Sequence, residues 1–396
     1  MAFIESSIAP ELLRQMREWR RDLHAHPETA FSEFRTADLV ARELERAGAV
    51  VHRGLGRTGV VGTIERGEGP AIGLRADMDA LDMQELGDAS HRSTIPGKMH
   101  GCGHDGHTAM LLGAAHHLAR DPGWKGTLRF IFQPAEEHEG GGLAMVQDGL
   151  FERFPCDAVF ALHNSPNLPF GTVATRVGTV MASCDTYEIT VTGKGCHAAQ
   201  PEHGVDAILA AAQLVNAMQG IVSRNVKPTD ALVLSITQIH AGDTWNVVPN
   251  SVLLRGSCRT LMADTRALAE RRLREVCAGV AITSGAAIGV EYSRGYPACV
   301  NTEAEVRLAA RAAARVVGAE QVDSACTPRM GSEDFAYMLE RRPGAYVFVG
   351  AARPGRDNPP VHNPYYDFND DILPLGAGYW VELVKEAMPA EPCRSS

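Results

Sequence analysis

The strongest constraint on the fold of this 396-residue chain is an alternation of strand-like and helix-like segments that is interrupted once and then resumes. Leu12, Met16, Trp19 and Leu23 recur at helical spacing behind Pro10, which suits a first helical turn. A second helix is expected over Thr36–Ala47, with Gly48 as its stop. The β-rich runs Val60–Ile64 and Ala71–Arg75 come next, then an apolar helix over His107–Ala119, then strands at Leu128–Phe132 and Asp157–Leu162. This alternation predicts an α/β fold with a mostly parallel sheet covered by helices. From about Ser183 the order becomes strand–helix–strand–strand–helix–strand: Tyr187–Val191, Val205–Val222, Leu232–Ile239, Leu253–Cys258, Thr265–Ser284 and Ile288–Tyr292. Beyond Ala298 the first pattern returns, with a helix over Thr302–Val317 and a strand over Tyr346–Val349. The expectation is a discontinuous large domain, residues 1–183 and 299–396, with a smaller α+β domain, residues 184–298, inserted in it.

Composition narrows the class. A chain 45% hydrophobic and 22% charged is that of a soluble globular protein. The net charge of -10 argues against broad binding to nucleic acid or an anionic membrane, although a local site can oppose the global sign. No run of about 18 apolar residues is present, so no spanning helix is expected. The start, MAFIESSIAPELLRQMREWRRDLHAH, lacks a basic segment followed by an apolar core and does not read as a secretory signal. Nine cysteines without regular spacing argue against a disulfide framework, and a reducing cytoplasm is the simplest expectation.

Chemistry concentrates in a few segments. Gly101-Cys102-Gly103-His104-Asp105-Gly106-His107 holds a thiol, two imidazoles and a carboxylate in seven positions. These donors suit zinc and related divalent ions, and Cys-x-His on an extended segment would converge on one metal. A cysteine nucleophile with a histidine base is the competing reading. After the run LRFIF comes Gln133-Pro134-Ala135-Glu136-Glu137. Adjacent carboxylates behind a buried strand need a compensating positive charge, or else form a solvated acidic loop. If the backbone there is extended, one carboxylate can bind metal while the other faces substrate. His163 ends the strand AVFALH, and His362 lies in Pro359-Pro360-Val361-His362-Asn363. Alone, each reads as structural. Together the four groups supply enough donors for two metals. Asp79, in Asp77-Met78-Asp79, is placed to orient a ligand's second ring nitrogen, and Asp77 is left open. His197, in the small-residue turn Gly193–Ala199, could donate to a developing oxyanion, but reads first as a polar loop residue. His116, His117 and His240 read as structural.

These segments, with RRDLHAHPETAFSE, GLRADMDAL, FQPAEE, LHN, NVVPN, CRT, MGSEDF and VHNP, run in order from about residue 20 to 363. On them the chain resembles the hippurate hydrolase and indoleacetyl-amino-acid hydrolase branch of the aminoacylase-like dinuclear metallopeptidases. The resemblance implies two divalent ions, manganese or zinc with cobalt and nickel as alternatives, held by Cys102, His104, Glu137, His163 and His362. It implies Glu136 as general acid/base, Asp79 as an orienting acid, and His197, Asn246 and Arg259 as substrate contacts. Relatives commonly carry a histidine where Asp77 stands. The implied activity is cleavage of the amide bond of N-acyl amino acids, small-molecule substrates, by a catalytic domain whose inserted domain serves as lid and dimerisation surface. A dipeptidase or carboxypeptidase on the same scaffold, and a metal- or small-molecule-binding protein without turnover, are the alternatives.

Overall fold

The computed structural model describes residues 8–390. They divide into two compact units. The first takes in the described residues up to Val180, then Val300–Thr327, and those from Asp334 on. The second holds Met181–Cys299 and the short segment Pro328–Glu333, which the sequence pattern alone assigns to the large domain.

The first unit opens with helix α1, Pro10–Ala25, which buries Met16, Trp19 and Leu23 along one stripe. Helix α2, Phe34–Arg46, follows. Strand β1, Val50–Leu55, pairs antiparallel with β2, Gly59–Arg66. Strand β3, Ala71–Asp77, then leads through a long loop to helix α3, His104–Leu118. That helix starts three residues before the expected boundary, so His104 stands in its first turn. Strands β4, Gly126–Gln133, and β5, Ala158–Pro169, complete this part.

In the second unit, β6 (Ser183–Thr192), α4 (Ala207–Asn225), β7 (Leu232–Ala241), β8 (Ser251–Thr260), α5 (Ala263–Ser284) and β9 (Ala287–Arg294) follow the expected order. The sheet is antiparallel, in the order β7-β8-β6-β9. Ser183, Asp185, Tyr187, Ile189 and Val191 of β6 are buried at every second position, as a strand with one covered face requires. Those apolar members join Leu214 and Met218 of α4 and Leu273 of α5 in a core of their own. Asp206 caps α4 by accepting from the amides of Ile208 and Leu209.

The chain then returns to the first unit with α6 (Glu303–Val317), β10 (Gly344–Ala352) and α7 (Leu373–Ala387). The full sheet runs β1-β2-β4-β3-β5-β10, followed by the short strands Val173–Ala174 and Val322–Asp323. Its centre, β4-β3-β5-β10, is parallel, and antiparallel pairs sit at the flanks. Strand β10 is buried along all but its last residue, the pattern of a parallel strand covered on both faces. Helix α3 is buried nearly all round because it packs against β3 on one side and α1 and α7 on the other. The eight described cysteines are free thiols. No helix among the described residues is long and apolar enough to cross a membrane.

Candidate metal centre

Parallel pairing aligns the carboxyl ends of β3 and β4, with Asp77 opposite Gln133 in register. Loops leaving such ends are where α/β sheets hold ligands. The loop after β3 carries Asp79 and ends in Cys102, β4 releases the turn with Glu136 and Glu137, and β5 carries His163.

The segment Cys102-Gly103-His104 is not extended. Gly103 has φ +100°, and a Cβ there would lie 2.2 Å from Asn164 Oδ1, so only glycine fits. The sharp bend, together with the start of α3, brings the thiol and the imidazole to one place. Cys102, His104 and His163 present donor atoms within 4.8 Å of one another. So do Cys102, Glu137 and His362, and so do His104, Glu136 and Glu137. The first two triads share Cys102 and together hold all five of the expected ligands.

Nor is the Glu136–Glu137 segment extended. Ala135 sits in the left-handed region at φ +50°, and the residues after it form a turn. The bend, rather than strand alternation, separates the two carboxylates. His362 also has a positive φ, +64°, with its amide donating to the Gly101 carbonyl at 2.8 Å.

Hydrogen bonds settle which ring nitrogens are available. His104 Nδ1 donates to the Asp79 carbonyl at 2.9 Å, with Asp79 Oδ1 at 3.3 Å, and so leaves Nε2 toward the cluster. Asp79 Oδ2 also accepts from the Glu137 amide at 3.0 Å. His163 Nδ1 donates to the Asn164 carbonyl at 2.6 Å, and its Nε2 lies 3.3 Å from Cys102 Sγ. This is the usual arrangement of ligating histidines, one nitrogen tied and the other free.

Burial and charge then act on each group. Burial opposes a charge on His104, but Asp77, Asp79 and Glu137 outweigh it and push the imidazole up to about 10. Burial, reinforced by the His107 ring, holds His163 well below the usual imidazole range. Burial also pushes the Cys102 thiol well up, aided by the charges of Glu137, Glu136 and Asp77. The surroundings therefore demand a cation, which a proton on His104 supplies when nothing else does.

The donor set fits metal. His104 Nε2 is buried with no hydrogen-bond partner, 3.8 Å from both Asp77 Oδ2 and Glu137 Oε1. Glu137 Oε1 has His362 Nε2 at 3.2 Å but no well-directed hydrogen bond. A buried imidazole nitrogen and a buried carboxylate oxygen left without hydrogen-bond partners beside a thiol are costly unless a cation takes them up.

His197, Asn246 and Arg259 belong to the second unit. His197 lies in a short strand paired with Val247–Val248, is exposed, and accepts at Nδ1 from the Ala199 amide at 3.0 Å. Its Nε2–H is thereby left to donate. The Asn246 carbonyl accepts from the Ala198 amide at 3.0 Å, and Arg259 donates to the Met330 carbonyl at 3.0 Å. His197 and Val247 help line an open cleft of about 1100 Å³ within this unit.

Several groups beyond the five expected ligands surround the centre. His107 Nδ1 lies 2.6 Å from Asp77 Oδ1, while its Nε2 faces Asn164 Oδ1 at 2.7 Å and the Asn164 amide at 3.0 Å. Buried Arg75 pairs with Asp77 at 2.6 Å and with Asp334 at 3.1 Å. His24 of α1 donates to Asp105 of α3 at 2.8 Å. His24 and Asp334 fall in the segments RRDLHAHPETAFSE and MGSEDF, whose resemblance to the family was the one available pointer to them.

A family model for peptidase family M20/M25/M40 matches residues 73–386. The chain belongs to this family. The hippurate hydrolase of Campylobacter jejuni is 39% identical to this M20-family protein over 384 residues, covering 95% of this chain and 98% of the relative. The N-acetylcysteine deacetylase of Bacillus subtilis is 37% identical over 367 residues, covering 92% and 94%. Among solved structures, the Bacillus subtilis YXEP protein, described as a dinuclear metal binding peptidase from the M20 family, superposes with a TM-score of 0.82 at 33% identity, covering 95% of this chain and 98% of that one.

Proposed function

We propose that this M20-family protein is a metal-dependent amidohydrolase that cleaves N-acyl amino acids to a carboxylic acid and a free amino acid. The observation that carries this reading is the pair of donor triads sharing Cys102, with Glu136 beside them. The activities named for the relatives, hydrolysis of hippurate and deacetylation of N-acetylcysteine, are both of this kind.

Cys102, His104, Glu137, His163 and His362 would hold two divalent ions, which polarise a carbonyl and lower the pKa of water when bound. A thiolate among imidazoles suits zinc, with manganese as the alternative. Glu136 is buried and lies in the donor group with His104 and Glu137, so its carboxylate takes the proton of the attacking water and returns it to the leaving nitrogen. Asp79 holds both the His104 ring and the Glu137 backbone in place. The His197 Nε2–H donates to the oxygen that gains charge as the carbonyl is attacked. Asn246 and Arg259 contact the amino acid portion. Residues 184–298 act as a lid and as the surface of a homodimer, and the protein resides in the cytoplasm; light scattering of the purified protein reads the first assembly directly.

The deciding experiment is Glu136→Gln in metal-loaded protein. Turnover of an N-acetyl and N-benzoyl amino acid panel should fall by roughly 10²–10⁴-fold, with metal content unchanged. Near-normal turnover would remove Glu136 from the role. Dipeptides in the same panel test the dipeptidase or carboxypeptidase alternative.

A further inference from the structure

We infer that Glu33, which the sequence sets apart from the metal donors, is a positioning residue for Glu136: its buried carboxyl fixes the backbone turn from which Glu136 projects. The inference rests on the assignment of Glu136 as the base.

Glu33 precedes α2 and is 0% exposed. Its Oε1 accepts from the Ala135 amide at 2.9 Å and from the Phe31 amide at 3.0 Å, and its Oε2 accepts from Thr58 Oγ1 at 2.5 Å. Phe31 and Ala135 are two of the five non-glycine residues with positive φ among the described residues, at +57° and +50°. Each such residue is held against its intrinsic preference by its surroundings. One carboxyl therefore holds two strained bends that lie about a hundred residues apart in the chain.

The second bend matters chemically. Ala135 is followed directly by Glu136 and Glu137. Its carbonyl accepts from the Gly141 amide at 3.0 Å, and a Cβ at Gly141 would lie 1.7 Å from the Pro134 carbonyl oxygen, so the turn is closed tightly on itself. On its far side the Glu137 amide is held by Asp79. Glu33 and Asp79 thus grip the backbone on either side of Glu136, each through one amide. Freed from Glu33, Ala135 would relax toward negative φ and swing the Glu136 side chain away from the donor group. Burial, reinforced by the charge of Asp79, raises the Glu33 carboxyl to about 7 against the bonds from Thr58 and the Ala135 amide.

The test uses Glu33→Ala, Glu33→Gln and Thr58→Ala in the full chain, with Glu136→Gln alongside. In Glu33→Ala, kcat should fall 10- to 100-fold on the metal-loaded protein while KM stays within about threefold, since the effect is on proton transfer. Amide hydrogen exchange in the peptide spanning residues 133–139 of metal-free protein should speed up at least tenfold. Glu33→Gln keeps an oxygen for the two amides and can donate to Thr58, so it should stay within about threefold of the parent in both readouts. Thr58→Ala, which keeps Oε1 in place, should fall between them and serves where Glu33→Ala does not fold. Unchanged kcat in Glu33→Ala, unchanged exchange at 133–139, or a Gln variant as impaired as the Ala variant each overturns the inference. If Glu136→Gln keeps its turnover, the base assignment fails instead, and exchange at 133–139 still reports whether Glu33 holds the turn.

Discussion

His24 gives the sharpest quantitative expectation. It is fully buried in α1, where it faces Asp105 at 2.8 Å, Glu85 at 3.4 Å, the Arg20 guanidinium, and the rings of His91 and His100. Burial lowers its pKa, but the hydrogen bonds to Asp105 and Glu85 overcome that and raise it from 6.5 to about 9. A rise of this size corresponds to roughly 3 kcal/mol of stability, at 1.36 kcal/mol per unit. Because the folded value lies above the unfolded one, the contribution is fully present below about pH 6.5 and is lost as pH rises through about 9. His24→Gln keeps a hydrogen bond to Asp105 but not the charge. Urea unfolding of parent and variant at fixed metal concentration should differ by about 3 kcal/mol near pH 6, by roughly half that at pH 8, and by little at pH 10. Taking the difference between the two proteins cancels the pH dependence of metal binding that they share. A flat difference from pH 6 to 10 would refute a charged His24.

Three further outcomes follow from the geometry. Gly103→Ala places a Cβ 2.2 Å from Asn164 Oδ1 at a φ of +100°, so both melting temperature and bound metal should drop, and a variant with full metal content would contradict the account of that bend. Asp79→Ala leaves the Asp79 carbonyl on His104 Nδ1 but removes Oδ1 from that ring and Oδ2 from the Glu137 amide, which should weaken metal binding about 10- to 100-fold in chelator competition. His197→Ala should lower kcat by roughly 10²-fold if its Nε2–H meets the oxyanion, and unchanged kinetics in a folded variant would remove it from catalysis.

The sequence disclosed what is local and periodic. Alternating burial in β6 and the apolar run of β10 are visible as strands because each pattern is written in consecutive residues. The donors of the Cys102–His107 segment were visible because they crowd into one stretch. Backbone conformation departs from the sequence reading at two places: Cys102–His104 is expected to be extended, and the division of Glu136 from Glu137 is conditional on extended backbone, whereas Gly103 and Ala135 are left-handed bends. Glycine advertises such a bend, whereas alanine does not, since a bend at alanine exists only where other groups enforce it. Those groups are remote. Glu33 meets Ala135 across 102 residues, His24 meets Asp105 across 81, and Arg75 meets Asp334 across 259. No spacing rule reaches that far, so a buried carboxylate in a loop looks like any solvated one until the fold closes over it.

Asp77 shows how such remote partners decide chemistry. It offers a ligand atom within 4.8 Å of those of His104 and His107, which makes its carboxylate a natural candidate for metal ligation. Yet its Oδ2 is held by Arg75 at 2.6 Å and its Oδ1 by His107 at 2.6 Å, and nearby His104, with Arg75 and His107, overcomes burial to keep it ionised. Both oxygens already have charged or strongly polar partners, and a metal drawn onto either would compete with the Arg75 guanidinium or the His107 ring inside a dry core. Asp77 instead fixes His107, whose ring packs edge-on against His163 at 4.5 Å between centroids and so helps to aim that imidazole at Cys102. The Asp77 carboxylate is thereby tied to Arg75 and His107, while the Cys102 thiol is shared by the two triads that hold the five expected ligands.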